Sequence, residues 1–102
     1  METYNLSLVE SADFKSCLNQ ALDVDFSESL PISSVITRVT DLNSYSPLER
    51  SAFSVELQTV GDMTMRPQGI YRINHPVMNT LDVFLVPIGW DENGMKYEAV
   101  FS

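Results

Sequence analysis

One cysteine, one histidine, one tryptophan and four glycines are spread over 102 residues, and only six residues are basic. Each scarcity excludes something. Cys17 has no partner for an intrachain disulfide, which points to a reducing compartment. Cys17 and His75 alone cannot supply a usual structural zinc set, and no carboxylate spacing completes one. The glycines at 61, 69, 89 and 94 stand apart and build no phosphate cradle. Lys15, Arg38, Arg50, Arg66, Arg72 and Lys96 are scattered against fourteen acids, for a net charge of −8. Nucleic-acid binding needs clustered cations, so nucleic acid is not an expected partner. Mimicry of DNA by the acids is disfavoured too, because they are scattered; solvation explains them.

Long hydrophobic runs are also missing. The longest nearly apolar stretch, residues 81–90, is about half a membrane span and is interrupted by Asp82 and Pro87, so no membrane association is expected. Residues 1–15 hold Glu2, Glu10 and Asp13 and lack a basic start followed by an apolar run. No signal peptide is visible. The expected location is cytoplasmic. Incorporation into a larger particle after synthesis fits the same sequence.

What the chain does have is alternation. Its length fits one domain, residues 1–102, able to fold without metal or disulfide. Ser11 is placed to cap a short helix starting at Ala12, with Phe14, Cys17, Leu18 and Ala21 on one face. Leu22, Val24 and Phe26 alternate with Asp23, Asp25 and Ser27, the pattern of a half-buried strand. Residues 30–42 form the next strand with a phase slip, which a bulge at Ser33 and Ser34 would repair, leaving Ile36 as a spare apolar residue. Residues 43–49 read as a loop. Residues 52–60 place Phe53, Val55, Leu57 and Thr59 on one side. Tyr71 and Ile73 share a face of a further strand. Leu81, Val83 and Leu85 oppose Asp82, Phe84 and Val86, so this strand is expected at the centre of the fold, with Pro87 ending it. Met95, Tyr97, Ala99 and Phe101 close the core. The result is a mainly β domain of about six antiparallel strands with one short N-terminal helix, either a small barrel or a two-sheet sandwich.

The run Gln68, Gly69, Ile70, Tyr71, Arg72, Ile73, then His75 and Pro76, then residues 81–87, then Tyr97, Glu98, Ala99, Val100, Phe101, resembles a small bacterial domain family of unknown function. Phe84 to Pro87 and the Tyr97 to Phe101 ending carry the likeness, and Ala12, Asp13, Phe14 resemble the family's opening helix. The resemblance covers most of the chain and implies a shared fold. It brings no active residue. Some small domains of this kind accompany phage or phage-like tail proteins.

Few residues could carry chemistry. Cys17 and His75 are the only thiol and imidazole, but Cys17 lies on the apolar helix face, where a buried core thiol is expected. His75 precedes a proline in a turn, where its ring either bonds the loop backbone or faces water. Asp23 and Asp25 share a wet strand face, and Glu56 and Glu98 are exposed by alternation, so no paired acids face a cleft. Residues 91–94 are too short for a calcium loop. No catalytic residue, cofactor site or metal site is assigned, and no enzyme activity is expected. Trp90, Tyr45, Met63 and Met65 are the candidate interface residues. Trp90 either folds back over a barrel end or anchors a partner, and the two methionines offer adaptable contact area.

The expectation is therefore a non-enzymatic structural or protein-interaction domain, including the accessory part of a phage-like tail assembly. The alternative is a small acidic inhibitor or immunity-type protein steered to a basic enzyme or toxin. A protein partner is expected, and self-association stays open.

Overall fold

Alternating apolar residues become strands only if each apolar side finds a common interior, and here the interior is the lumen of a barrel. The computed structural model describes residues 9–27, 30–42 and 52–101. Its elements are α1 (Ser11–Lys15), β1 (Ala21–Asp25), β2 (Ile32–Asp41), β3 (Phe53–Thr59), β4 (Gly69–His75), β5 (Asn79–Asp91) and β6 (Gly94–Phe101). The strands close in the order β1-β2-β3-β6-β5-β4. Every pairing is antiparallel, and β1 completes the ring by matching Val24 with Ile73 on β4. This decides for the barrel over the sandwich. Among the described residues each strand therefore has a paired neighbour on both sides, which is how a barrel blunts its edges.

The two ends are closed differently. At one end Phe14 of α1 enters the lumen, its ring 6.3 Å from Phe53 and 5.5 Å from Phe101, which stack on each other at 4.7 Å. A five-residue helix is unstable alone, so the burial of Phe14 holds it. The cap is Glu10 rather than Ser11: the Asp13 carboxylate accepts the Glu10 N–H at 2.8 Å. At the other end Phe26, Tyr71 and Tyr97 cluster, with ring centres 4.9 and 5.2 Å from Phe26. Segment 60–68 covers this end.

Three further sequence expectations need correction. The bulge in β2 is not at Ser33 and Ser34. The β2–β3 register slips between Ile36 and Arg38, making Thr37 the extra residue. Ile32, Ser34 and Ile36 therefore share the inward alternation. Ile36 is fully buried and is no spare residue, while Val35 turns outward. Small Ser34 takes an inward site in the crowded wall, so apolarity alone misjudged the phase. Nor does Pro87 end β5. The strand runs on to Asp91, and its register with β6 slips between Pro87 and Gly89. A bulge is where a residue without an N–H is tolerated in a sheet. The same strand is not doubly buried either: Phe84 is 51% exposed, because a closed barrel has only one inner face. No helix among the described residues is long and apolar enough to cross a membrane.

Candidate functional site

The end closed by segment 60–68 gathers three of the four candidate interface residues. Thr59 donates its hydroxyl to Asp62 O at 2.6 Å, Gly61 N–H reaches Asn93 O at 2.8 Å, and Met95 N–H reaches Asp62 O at 3.1 Å. These bonds fasten the start of the segment to the β5–β6 hairpin. The hairpin approaches closely because residue 94 is glycine: a Cβ there would lie 1.7 Å from Thr59 O.

Arg66 anchors the rest. It is buried, with its Cζ 4.4 Å above the Phe26 ring. Its two terminal nitrogens fork onto the Asp62 carboxylate at 3.3 and 3.1 Å, and one also reaches Thr64 O at 3.2 Å. Its backbone N–H donates to the Tyr97 hydroxyl at 3.1 Å, and that hydroxyl donates to Thr64 O at 3.3 Å. A forked, charge-assisted pair with a ring beneath the guanidinium is a strong arrangement when shielded from water. The Arg66 side chain beside Asp62 holds that carboxyl below its ordinary range, helped by the Thr64 N–H.

With Arg66 turned inward, Met63 and Met65 stay outside, 46% and 65% exposed. Trp90 lies opposite Met95 in the β5–β6 register, one pair from the hairpin end, and is 68% exposed. It does not fold back into the core. Leu30, Val60 and Ile88 are exposed as well, and the antiparallel topology puts them at or next to this end. The four-residue spacing of Asp62 and Arg66 was the available signal for the anchor, yet an arginine in a loop ordinarily reads as solvated. Tyr45 and the loop over residues 43–49 lie outside the described residues.

Beside this rim, on the outer face of β2 and β3, lies a groove of about 440 Å³. Val35 and Gln58, paired across the strands, contribute to its wall, with Thr37, Val60, Glu92 and Asn93 around them. Asp91 accepts the Asn93 N–H at 2.7 Å and a Gln58 side-chain N–H at 2.7 Å. The first of these is the main reason its carboxyl titrates below the ordinary range.

The structure also brings Cys17 and His75 together, Sγ to Nε2 at 3.5 Å, both buried. The hydrogen bonds show what the pair can do. His75 Nε2 lies 2.8 Å from Asp13 O, which can only accept, so this nitrogen carries the proton. Nδ1 accepts the N–H groups of Val77 and Met78, each at 3.1 Å. The basic nitrogen therefore faces the turn backbone and not the sulfur. Burial, foremost, pushes the Cys17 thiol up, and a thiol held protonated is a poor nucleophile. This is a structural clasp joining α1 to the β4–β5 turn, and of the two readings of His75 the backbone bond is the one observed. Asp23 is exposed and Asp25 half-buried, and Asp25 accepts the Ser27 N–H at 2.9 Å. Among the described residues no three metal-binding side chains gather.

By its fold this is a closed antiparallel six-strand barrel with a helical plug at one end and an arginine-anchored cover at the other. The chain belongs to a family described as a domain of unknown function, DUF6916, whose pattern matches residues 9–101. No curated protein and no solved structure matches it.

Proposed function

We propose that this domain is a protein-interaction module that docks a partner through the barrel end carrying Trp90, Met63 and Met65. The observation that supports it is the single tryptophan, 68% exposed on a hydrogen-bonded hairpin at the barrel end that also carries two exposed methionines. Tryptophan and methionine are enriched in interface cores and scarce on surfaces that stay wet. The platform beneath is a closed barrel whose cover is hydrogen-bonded to the hairpin, an arrangement that lowers the ordering cost of binding. Interaction through this end fits an accessory role in a larger assembly, the phage-like tail role included.

The −8 charge favours one second reading, an acidic inhibitor bound to a basic protein. A pull-down from native lysate, sized by light scattering, separates the two: a large assembly for the first, a salt-sensitive 1:1 complex for the second. Trp90→Ala tests the docking end itself. Complex affinity should fall about 30-fold or more, while thermal stability stays within about 0.5 kcal/mol. Unchanged affinity for the captured partner would refute this docking face.

A further inference from the structure

Next to the Trp90 rim, the groove on the outer face of β2 and β3 is walled in part by the Gln58 side-chain amide. Gln58 is more than nine-tenths buried and forms part of the groove wall. Its Nε2 donates to Asp91 Oδ1 at 2.7 Å and to Gly94 O at 3.1 Å. Both are pure acceptors, so the amide orientation is settled without ambiguity. Oε1 is then the opposite corner of the amide, and no donor from the described residues meets it. A donor arriving in the groove can bond this acceptor in place of water.

The charge around the groove selects the donor. Glu92 lines it. The hydroxyl of Thr37, another lining residue, donates to Glu56 Oε2 at 2.8 Å, so a second carboxylate adjoins it. Two cations stand near, each set against a carboxylate: Arg38 opposite Glu56 in the β2–β3 register, and Lys96, whose ammonium lies 3.6 Å from Asp91 Oδ2, so that Glu92 carries the groove's remaining charge. Val35 and Val60 give apolar walls. An acceptor and carboxylates above apolar walls match a side chain with a long aliphatic stem and a cationic head of several N–H donors.

We infer that this groove takes an arginine side chain of the partner protein that docks at the Trp90 end. The inference rests on the docking reading above and specifies its chemistry. Arginine is favoured over lysine, because its fork can meet Gln58 Oε1 and a carboxylate together.

The test is a titration of the isotopically labelled domain with N-acetyl-arginine amide, followed by the amide resonances. Saturable shifts are expected at the Gln58 side-chain amide and at Val60, Gly61 and Asn93, with a dissociation constant of about 1–10 mM. Lysine and norleucine amides should bind progressively more weakly. Glu92→Lys, in an exposed turn, should abolish the shifts, and Glu92→Gln should weaken them about threefold or more. Absence of saturable shifts, an equal response to norleucine amide, or an unchanged response in Glu92→Lys would overturn the inference. Trp90→Ala keeps the two claims apart. It should leave the arginine titration intact while weakening the partner complex. Loss of groove binding with a Trp90-dependent complex would sink only the arginine site. An arginine titration that succeeds while the complex ignores Trp90 would sink only the docking face.

Discussion

Replacing His75 by alanine removes a fastener that joins α1 to the β4–β5 turn. The ring donates from Nε2 to Asp13 O, accepts at Nδ1 from Val77 and Met78, and meets the Phe14 ring edge-on at 5.3 Å. It is 4% exposed. The Val77 N–H sits on an exposed residue where water can replace the ring. The bond to Asp13 O is part-buried, and its loss costs about 1 kcal/mol. The edge contact adds about 1 kcal/mol. Emptying the buried site adds about 1–2 kcal/mol, at the low end for large-to-small changes because it lies near a barrel end. The expected loss is about 3–4 kcal/mol, or roughly 15–25 °C in Tm for a domain of this size. Circular dichroism melting reads it. A thiol-labelling rate reads the second consequence. In the native protein Cys17 should react only through opening, and His75→Ala should make it react about 100-fold faster or more. A nucleophile–base pair would behave in the opposite way, with a fast native thiol that His75→Ala slows. That outcome, or a Tm lowered by less than about 3 °C, would refute the clasp.

Other perturbations test the two closures of the rim. Gly94→Ala would place a methyl 1.7 Å from Thr59 O at a φ of +156°. Overpacking against backbone with added strain should cost about 3 kcal/mol or more, and a melt within about 1 kcal/mol of the native protein would contradict the close approach. Asp62 titrates low because Arg66 bonds its charged form. Its contribution is therefore present above the ordinary carboxyl value, about pH 4, and is lost as pH falls through the lower folded value. Acid should release segment 60–68 before the barrel unfolds, seen in the methyl resonances of Met63 and Met65. Asp62→Asn should flatten this step, and an identical acid profile in that variant would exclude the pair as its cause. Trp90→Ala should leave the melt unchanged, whereas loss of cooperative unfolding would show a core role for the indole.

Much of the fold was legible because burial on one side of a strand writes itself as a period of two. Phe53, Val55 and Leu57, or Met95, Tyr97, Ala99 and Phe101, could face only one way. Pattern failed where the chain departed from that period. The bulges at Thr37 and near Pro87 are set by the register that neighbouring strands impose, and no single strand encodes it. Exposure of Trp90, Met63 and Met65 was readable as a question; that they share one end follows from the antiparallel order of strands distant in the chain.

The residues alone determined an acidic, antiparallel β fold with a short helix ahead of the strands, since local alternation, turn chemistry and charge are properties of short stretches. Closure into a barrel, the inward turn of Arg66 onto Phe26, the clasp of Cys17 and His75, and the groove beside Gln58 were decided only by the tertiary structure. Each depends on groups far apart in sequence: 40 residues separate Arg66 from Phe26, and 58 separate His75 from Cys17. Whether such groups are solvated or partnered is settled only when the strands between them have paired.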